Sequence, residues 1–398
     1  MSREVDTGGL PRLVYFADVP VENYMHGSAL MYRLLETYPK DRLLIVESVS
    51  KAAPERRLPG VDYRATRHPI HRLLRTRLGP KLSAPYALMG GDGAEALERA
   101  TGDFKPEAVL TVVHGHQWQA AAAYARRKNI PLHLIAHDRW QDSFYGSAFA
   151  KTLVAPRFVA AYRQAMSRFC VSPHMVDIYE VETGARGEVL YPARRRGFAG
   201  HTTVSPRVAK PGSPFTAAYA GSISDDGLIA ALALIAQALK SRGGRLIVFG
   251  PYGAKELAAR GLAGENVVVG GSVAPHDLAD RLRAEADVLL ASVSFDTRYL
   301  AAMELCFPSK LTDYTATGTP ILVHGPPTCS AVRWARENPD VAEIVQTMDE
   351  TDLAASFDRL MGDETLREKL ALTALTVGDR QFAGDRAEQM LFSALAAD

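Results

Sequence analysis

The sequence predicts an α/β fold of two Rossmann-like domains facing across a cleft. Three observations predict it. Short apolar runs alternate with helical stretches in both halves of the chain, which is the rhythm of βαβ units and a parallel sheet. A basic stretch rich in Pro, Gly, Ser and Thr interrupts that rhythm, with linker composition over 196–214. The chain has 398 residues, enough for two domains of roughly 150–200 residues each. The expected division is 1–195, a linker 196–214, 215–375 and a C-terminal helix 376–398.

In order, 13–17 (LVYFA) and 43–46 read as strands with a helix over 29–36 between them. The apolar runs 108–113 and 131–136 are the next strands, and the Ala-rich stretch 119–127 is the helix joining them. After the linker, 215–220, 245–249, 266–269, 288–291 and 320–323 read as strands. Helices are expected over 228–240, 278–286 and 310–317. From 349 onward the spacing of Leu353, Phe357, Leu360, Leu366, Leu370 and Leu375 is helical. In sheets of this kind ligands bind at the carboxyl ends of the strands, so the loops there are where chemistry is sought.

Composition excludes several classes. Hydrophobic residues are 47% and charged residues 23%, the balance of a globular protein rather than a disordered one. A net charge of +1 gives no global field for nucleic acid. Cys170, Cys306 and Cys329 are far apart and lack metal-ligand spacing, so neither a disulfide framework nor zinc is expected. The richest apolar run, 228–239, is too short to span a bilayer and contains Gln237. The first ten residues have no apolar core and are not read as a signal peptide. The expectation is a cytoplasmic enzyme.

The P-loop, the G-x-G-x-x-G dinucleotide fingerprint, H-E-x-x-H and G-x-S-x-G are all absent. None of the 24 Asp residues lie two apart, so no D-x-D metal clamp exists. The informative stretch is 307–322, FPSKLTDYTATGTPIL. Pro308-Ser309 is a helix-start signal, which puts Ser309 and Lys310 at the positive end of a helix, where an anion is favoured. Asp313 follows one turn later on nearly the same face. A hydroxyl, a cation and a carboxylate so placed suit a nucleotide; the plain alternative is a surface ion pair on a capped helix.

That stretch resembles the P-S-K-L-x-E-Y-x-A-x-G-x-P signature of GT-B glycosyltransferases, in particular the retaining family-4-like group. The order of features across the second half is similar too: Tyr219-Ala220-Gly221-Ser222, then 247–250, 266–273 and 286–290. The first half is similar only in rhythm and in a Gly-containing loop, His26-Gly27-Ser28, after the first strand. The resemblance implies a metal-independent, cofactor-free transfer of a sugar from a nucleoside-diphosphate-sugar donor, with retention. It implies donor contacts at Gly27, Gly221, Ser222, Ile223, Gly250, Val273, Ser309, Lys310 and Asp313, and a C-terminal helix that crosses back to the first domain. Two departures stand out. The carboxylate expected eight residues before Asp313 is displaced to Glu304, and the loop 221–227 (GSISDDG) lacks Arg and Lys while carrying Asp225 and Asp226. These keep two alternatives open: a nucleotide-sugar 2-epimerase, and a catalytically silent sugar-nucleotide-binding partner.

On the acceptor side, His114 and His116 lie in a loop after one strand, and His137 and Asp138 in the loop after the next. These are the candidate catalytic residues, since a histidine there can donate a hydrogen bond or exchange a proton. The alternative is that they cap strand ends. The segment 56–77 holds seven arginines against one acid, a net +6. It reads either as a patch for anionic lipid or an acceptor phosphate, which would make the enzyme peripheral at a membrane, or as a solvated loop with a basic helix. Phe144, Tyr145 and Phe149 are expected to pack. The acceptor itself is not identified.

Overall fold

The computed structural model describes residues 9–24, 26–48, 51–66, 76–79, 81–82, 93–144, 146–198 and 200–397. The chain divides into two compact units, one of 1–196 with 384–398 and the other of 197–383.

The first unit is a seven-stranded sheet of β1 (Leu13–Ala17), β2 (Leu43–Glu47), β3 (Asp62–Ala65), β4 (Ala108–Val112), β5 (Leu132–Ala136), β6 (Ser167–Cys170) and β7 (Glu188–Val189). All pairings are parallel, in the order β3-β2-β1-β4-β5-β6-β7. Every residue of β1, β2, β4 and β5 is buried, so these strands read as unbroken apolar runs rather than as alternation. The helix His26–Leu35 joins β1 to β2, and Gln117–Lys128 joins β4 to β5. The last helix, Gly384–Leu395, belongs to this unit. Its Leu391 and Phe392 enter the core with Leu13, Tyr15 and Ile45, and Phe392 meets the Tyr38 ring edge-on at 5.3 Å.

The second unit is a six-stranded parallel sheet of β8 (Thr216–Ala220), β9 (Arg245–Phe249), β10 (Val267–Gly271), β11 (Val288–Ser292), β12 (Ile321–His324) and β13 (Glu343–Val345). Its order is β10-β9-β8-β11-β12-β13. In both sheets the strand order therefore reverses once, between β1 and β4 and between β8 and β11, while every strand stays parallel. The loops beyond those strand ends are the crevices where such sheets bind ligands.

Several local expectations change. The residues read as linker are held down on the second unit by Asp287, a buried carboxylate at the start of β11. It accepts from both Nε and Nη2 of Arg207 at 3.0 and 2.9 Å and from the amides of Gly212 and Thr216. Four donors on one carboxylate stabilise its charge and order a segment whose composition favours coil. The helix expected over 310–317 is Lys310–Tyr314, and the chain continues in turns to Gly318. The C-terminal pattern is three helices, Glu350–Gly362, Glu364–Phe382 and Gly384–Leu395. Residues 376–382 thus continue a helix of the second unit. Within the basic segment 56–77, Asp62–Ala65 form the strand β3, and 67–75, where a basic helix was one reading, lie outside the described residues. Phe144 is buried as expected, Phe149 is 63% exposed, and Tyr145 lies outside the described residues.

Candidate functional site

In the first unit the site is built on the carboxyl ends of β1, β4 and β5, which are neighbours in the sheet. β1 delivers Asp18, a residue that sequence reasoning passed over. Its buried carboxylate accepts the amides of His116 and Gln117 at 2.6 and 3.0 Å and the Ser48 hydroxyl at 3.1 Å. It thereby caps the helix Gln117–Lys128 from another strand and fixes the turn that carries His114 and His116. No local motif marks Asp18, because its partners are 98 and 99 residues away.

The four candidate catalytic residues do not behave alike. His114 Nδ1 and Asp138 Oδ2 are 3.2 Å apart, so the loops after β4 and β5 are joined by this pair. His116 is buried, with its ring 4.3 Å from that of Phe144. His137 is buried against the first turn of the helix His26–Leu35. Among the described residues neither of its ring nitrogens has a hydrogen-bond partner. Burial lowers its pKa to about 4, although Asp138 opposes the shift, so the ring is neutral at pH 7. Gly27 is the residue it packs on: a Cβ there would stand 2.9 Å from His137 Nδ1. Gly27, expected as a donor contact, is also where the absence of a side chain leaves room for His137.

In the second unit the end of β8, the motif helix and the β9 end converge. Lys310 is half-buried, with Nζ 3.7 Å from the centre of the Tyr219 ring. No carboxylate pairs with it among the described residues. Burial holds its pKa at about 7. A Cβ on Gly221 would lie 3.9 Å from this ammonium, and the φ of +133° at Gly221 is one that a side chain would strain. The backbone of Gly221 therefore lies beside the cation. Tyr314 ties the motif helix to the same strand end: its hydroxyl accepts the Ala220 amide at 2.8 Å and faces the Ala220 carbonyl at 3.3 Å. The Tyr219 hydroxyl donates to the Ser222 carbonyl at 2.7 Å. Gly250 approaches from β9, where a Cβ would be 3.0 Å from the Gly221 carbonyl oxygen.

Gly221, Ser222 and Ile223 were expected as donor contacts, and the backbone amides are what such a loop offers a diphosphate. Gly221 N–H donates to the Phe249 carbonyl and Ile223 N–H to the Tyr252 hydroxyl, which leaves the exposed Ser222 amide. Asp225 caps the helix Asp226–Lys240 through the Leu228 amide at 3.0 Å, so that helix start already carries a carboxylate. Ser309 does not cap with its side chain, and its exposed hydroxyl is left for other use. Asp313 is half-buried on the same short helix as Lys310, and Val273 lies in the loop after β10. Glu304 ends up on the helix Leu300–Leu305, its carbonyl accepting from Arg333 at 2.6 Å. Among the described residues no group of three or more His, Cys, Asp and Glu is placed to hold a metal, and all three cysteines are free. No helix among them is long and apolar enough to cross a membrane.

No protein-family model matches this chain, and no curated protein sequence does. Solved structures do. Anabaena HepE, in complex with UDP and glucose, is similar with a TM-score of 0.64 at 15% identity, over 98% of this chain and 100% of its own. Sucrose-phosphate synthase from Thermosynechococcus elongatus is similar at 0.63 and 14%, over 95% and 96%. The trehalose-6-phosphate synthase OtsA is similar at 0.66 and 12%, over 97% and 99%. At these identities the likeness establishes the fold, two Rossmann-like domains of the GT-B type.

Proposed function

We propose that this protein transfers a sugar from a nucleoside-diphosphate-sugar donor to a hydroxyl-bearing acceptor, without a metal ion and with retention of anomeric configuration. The observation that carries this reading is Lys310, a cation kept partly out of water on the Tyr219 ring, beside the Gly221 backbone and, among the described residues, without an acid paired to it. Such a group is costly unless an anion completes it. As the sugar–oxygen bond breaks, negative charge grows on the departing diphosphate. Lys310, the Ser222 amide and the Ser309 hydroxyl would stabilise it, which is the largest electrostatic contribution open to this site. Asp313 is suited to ribose hydroxyls. In the other unit, neutral His137 and the His114–Asp138 pair offer groups to sugar hydroxyls. The HepE complex with UDP and glucose supports the donor class, and the 307–322 motif supports retention.

Calorimetry with UDP, UDP-glucose, GDP-mannose and ADP-glucose tests the donor reading. At least one should bind, and binding should survive excess EDTA; loss with EDTA and rescue by Mn²⁺ would refute metal independence. The anomer formed first, followed by NMR, tests retention. A second reading, a sugar-nucleotide binder without turnover, is favoured by the carboxylate of Asp225 at the helix start where a phosphate would otherwise sit. It predicts donor binding with no release of nucleotide.

A further inference from the structure

We propose that Tyr24 and Arg56 form an anion-recognition point for the acceptor, which would then be a hydroxyl compound carrying a phosphate or carboxylate. This rests on the transferase reading above. Tyr24 lies in the loop between β1 and the helix His26–Leu35, and Arg56 in the short turn Pro54–Arg56 that follows β2. β1 and β2 are adjacent and parallel, so both residues sit at the carboxyl edge of the sheet, on the side of Asp18 and His137.

The Arg56 guanidinium lies over the Tyr24 ring, 3.7 Å from its centre. Tyr24 is 45% exposed. The two loops are joined: the Asn23 amide donates to the Arg56 carbonyl at 2.9 Å, and the Ala53 amide to the Glu22 carboxylate at 3.2 Å. Tyr63 adds a bond from its hydroxyl to the Val21 carbonyl at 2.9 Å. The stack is therefore held in place before any ligand arrives.

Its neighbours in sequence show what an arginine does here when it is structural. Arg57 pairs with buried Glu47 at 2.8 Å, and Arg64 pairs with Asp62 at 2.7 Å. Arg56 makes no ion pair and no side-chain hydrogen bond among the described residues. A guanidinium stacked on a ring keeps its N–H edges for the paired oxygens of a phosphate or carboxylate. A sugar phosphate in solution and a lipid phosphate present the same chemistry to this stack.

The test compares the full-length protein with Arg56→Gln, Tyr24→Leu and the distant control Arg242→Gln. Probes are glucose 6-phosphate, glucuronate and glucose by calorimetry, and phosphatidylglycerol against phosphatidylcholine vesicles by flotation. UDP-glucose binding is measured in parallel and reports on the donor reading alone. An anionic probe should bind the native protein at least about tenfold more tightly than its neutral counterpart. Arg56→Gln should erase that ratio and Tyr24→Leu reduce it, with UDP-glucose affinity and Arg242→Gln unchanged. Preference for glucose 6-phosphate or glucuronate identifies a free acceptor; preference for phosphatidylglycerol vesicles alone identifies a lipid. The proposal is overturned if no anionic probe is preferred, or if the preference survives in Arg56→Gln.

Discussion

Replacing Lys310 with Met keeps the length and packing of the side chain and removes its charge. Burial lowers this ammonium from 10.5 to about 7, while a bound diphosphate would restore the charged form. Donor affinity should therefore be full below pH 7 and fall as pH rises, because free protein must first take up a proton. From pH 6 to pH 8 the ratio (1 + 10)/(1 + 0.1) makes this loss about tenfold, and the diphosphate of UDP-glucose does not titrate in that window. Lys310→Met should weaken binding by about 1.5–3 kcal/mol at pH 6.5, the range for charge-assisted bonds, and flatten the pH dependence. Stability should move the other way. With its pKa depressed on folding, the native state holds fewer protons than the unfolded chain between pH 7 and 10.5, so the buried charge costs stability below that window. Discounted for partial exposure, its removal should stabilise by about 2 kcal/mol at pH 7. Calorimetric titration at both pH values, with thermal melts, reads both effects. Unchanged affinity and an unchanged pH profile in a folded Lys310→Met protein would refute the reasoning.

Asp18→Ala should cost about 2 kcal/mol in urea unfolding, through two lost cap bonds on the helix Gln117–Lys128. Asp287→Ala leaves Arg207 and two amides without their acceptor; about 3 kcal/mol of stability should go, and limited proteolysis should cut within 200–214. His133, His137 and His324 are each lowered by burial to about 4, so the folded state binds fewer protons than the unfolded state between pH 6.5 and 4. Stability from each is present above pH 6.5 and lost as pH falls, by about 2 kcal/mol between pH 7 and pH 5. Guanidinium melts of native protein and His324→Gln at both pH values check it: the pH-dependent loss should shrink by about a third.

The strands at Leu13–Ala17, Leu43–Glu47 and Leu132–Ala136 were legible because both faces of a parallel sheet are buried and each strand reads as an unbroken apolar run. The short helix that carries Lys310 and Asp313 was legible for a similar local reason: Pro308-Ser309 is a helix-start signal. β3 and β7 were not, since their four and two residues carry exposed or half-buried polar side chains. Nor could residues 200–214 be told from a free linker, because what orders them is Asp287, more than 70 residues away. The same holds at the site. Asp18 caps a helix from another strand, Tyr219 seats Lys310 across the sheet, and Gly27 makes room for a histidine more than 100 residues later. Sequence patterns report what neighbouring residues prefer; here the roles of Asp18, Tyr219 and Gly27 follow from contacts that exist only once the strands lie side by side.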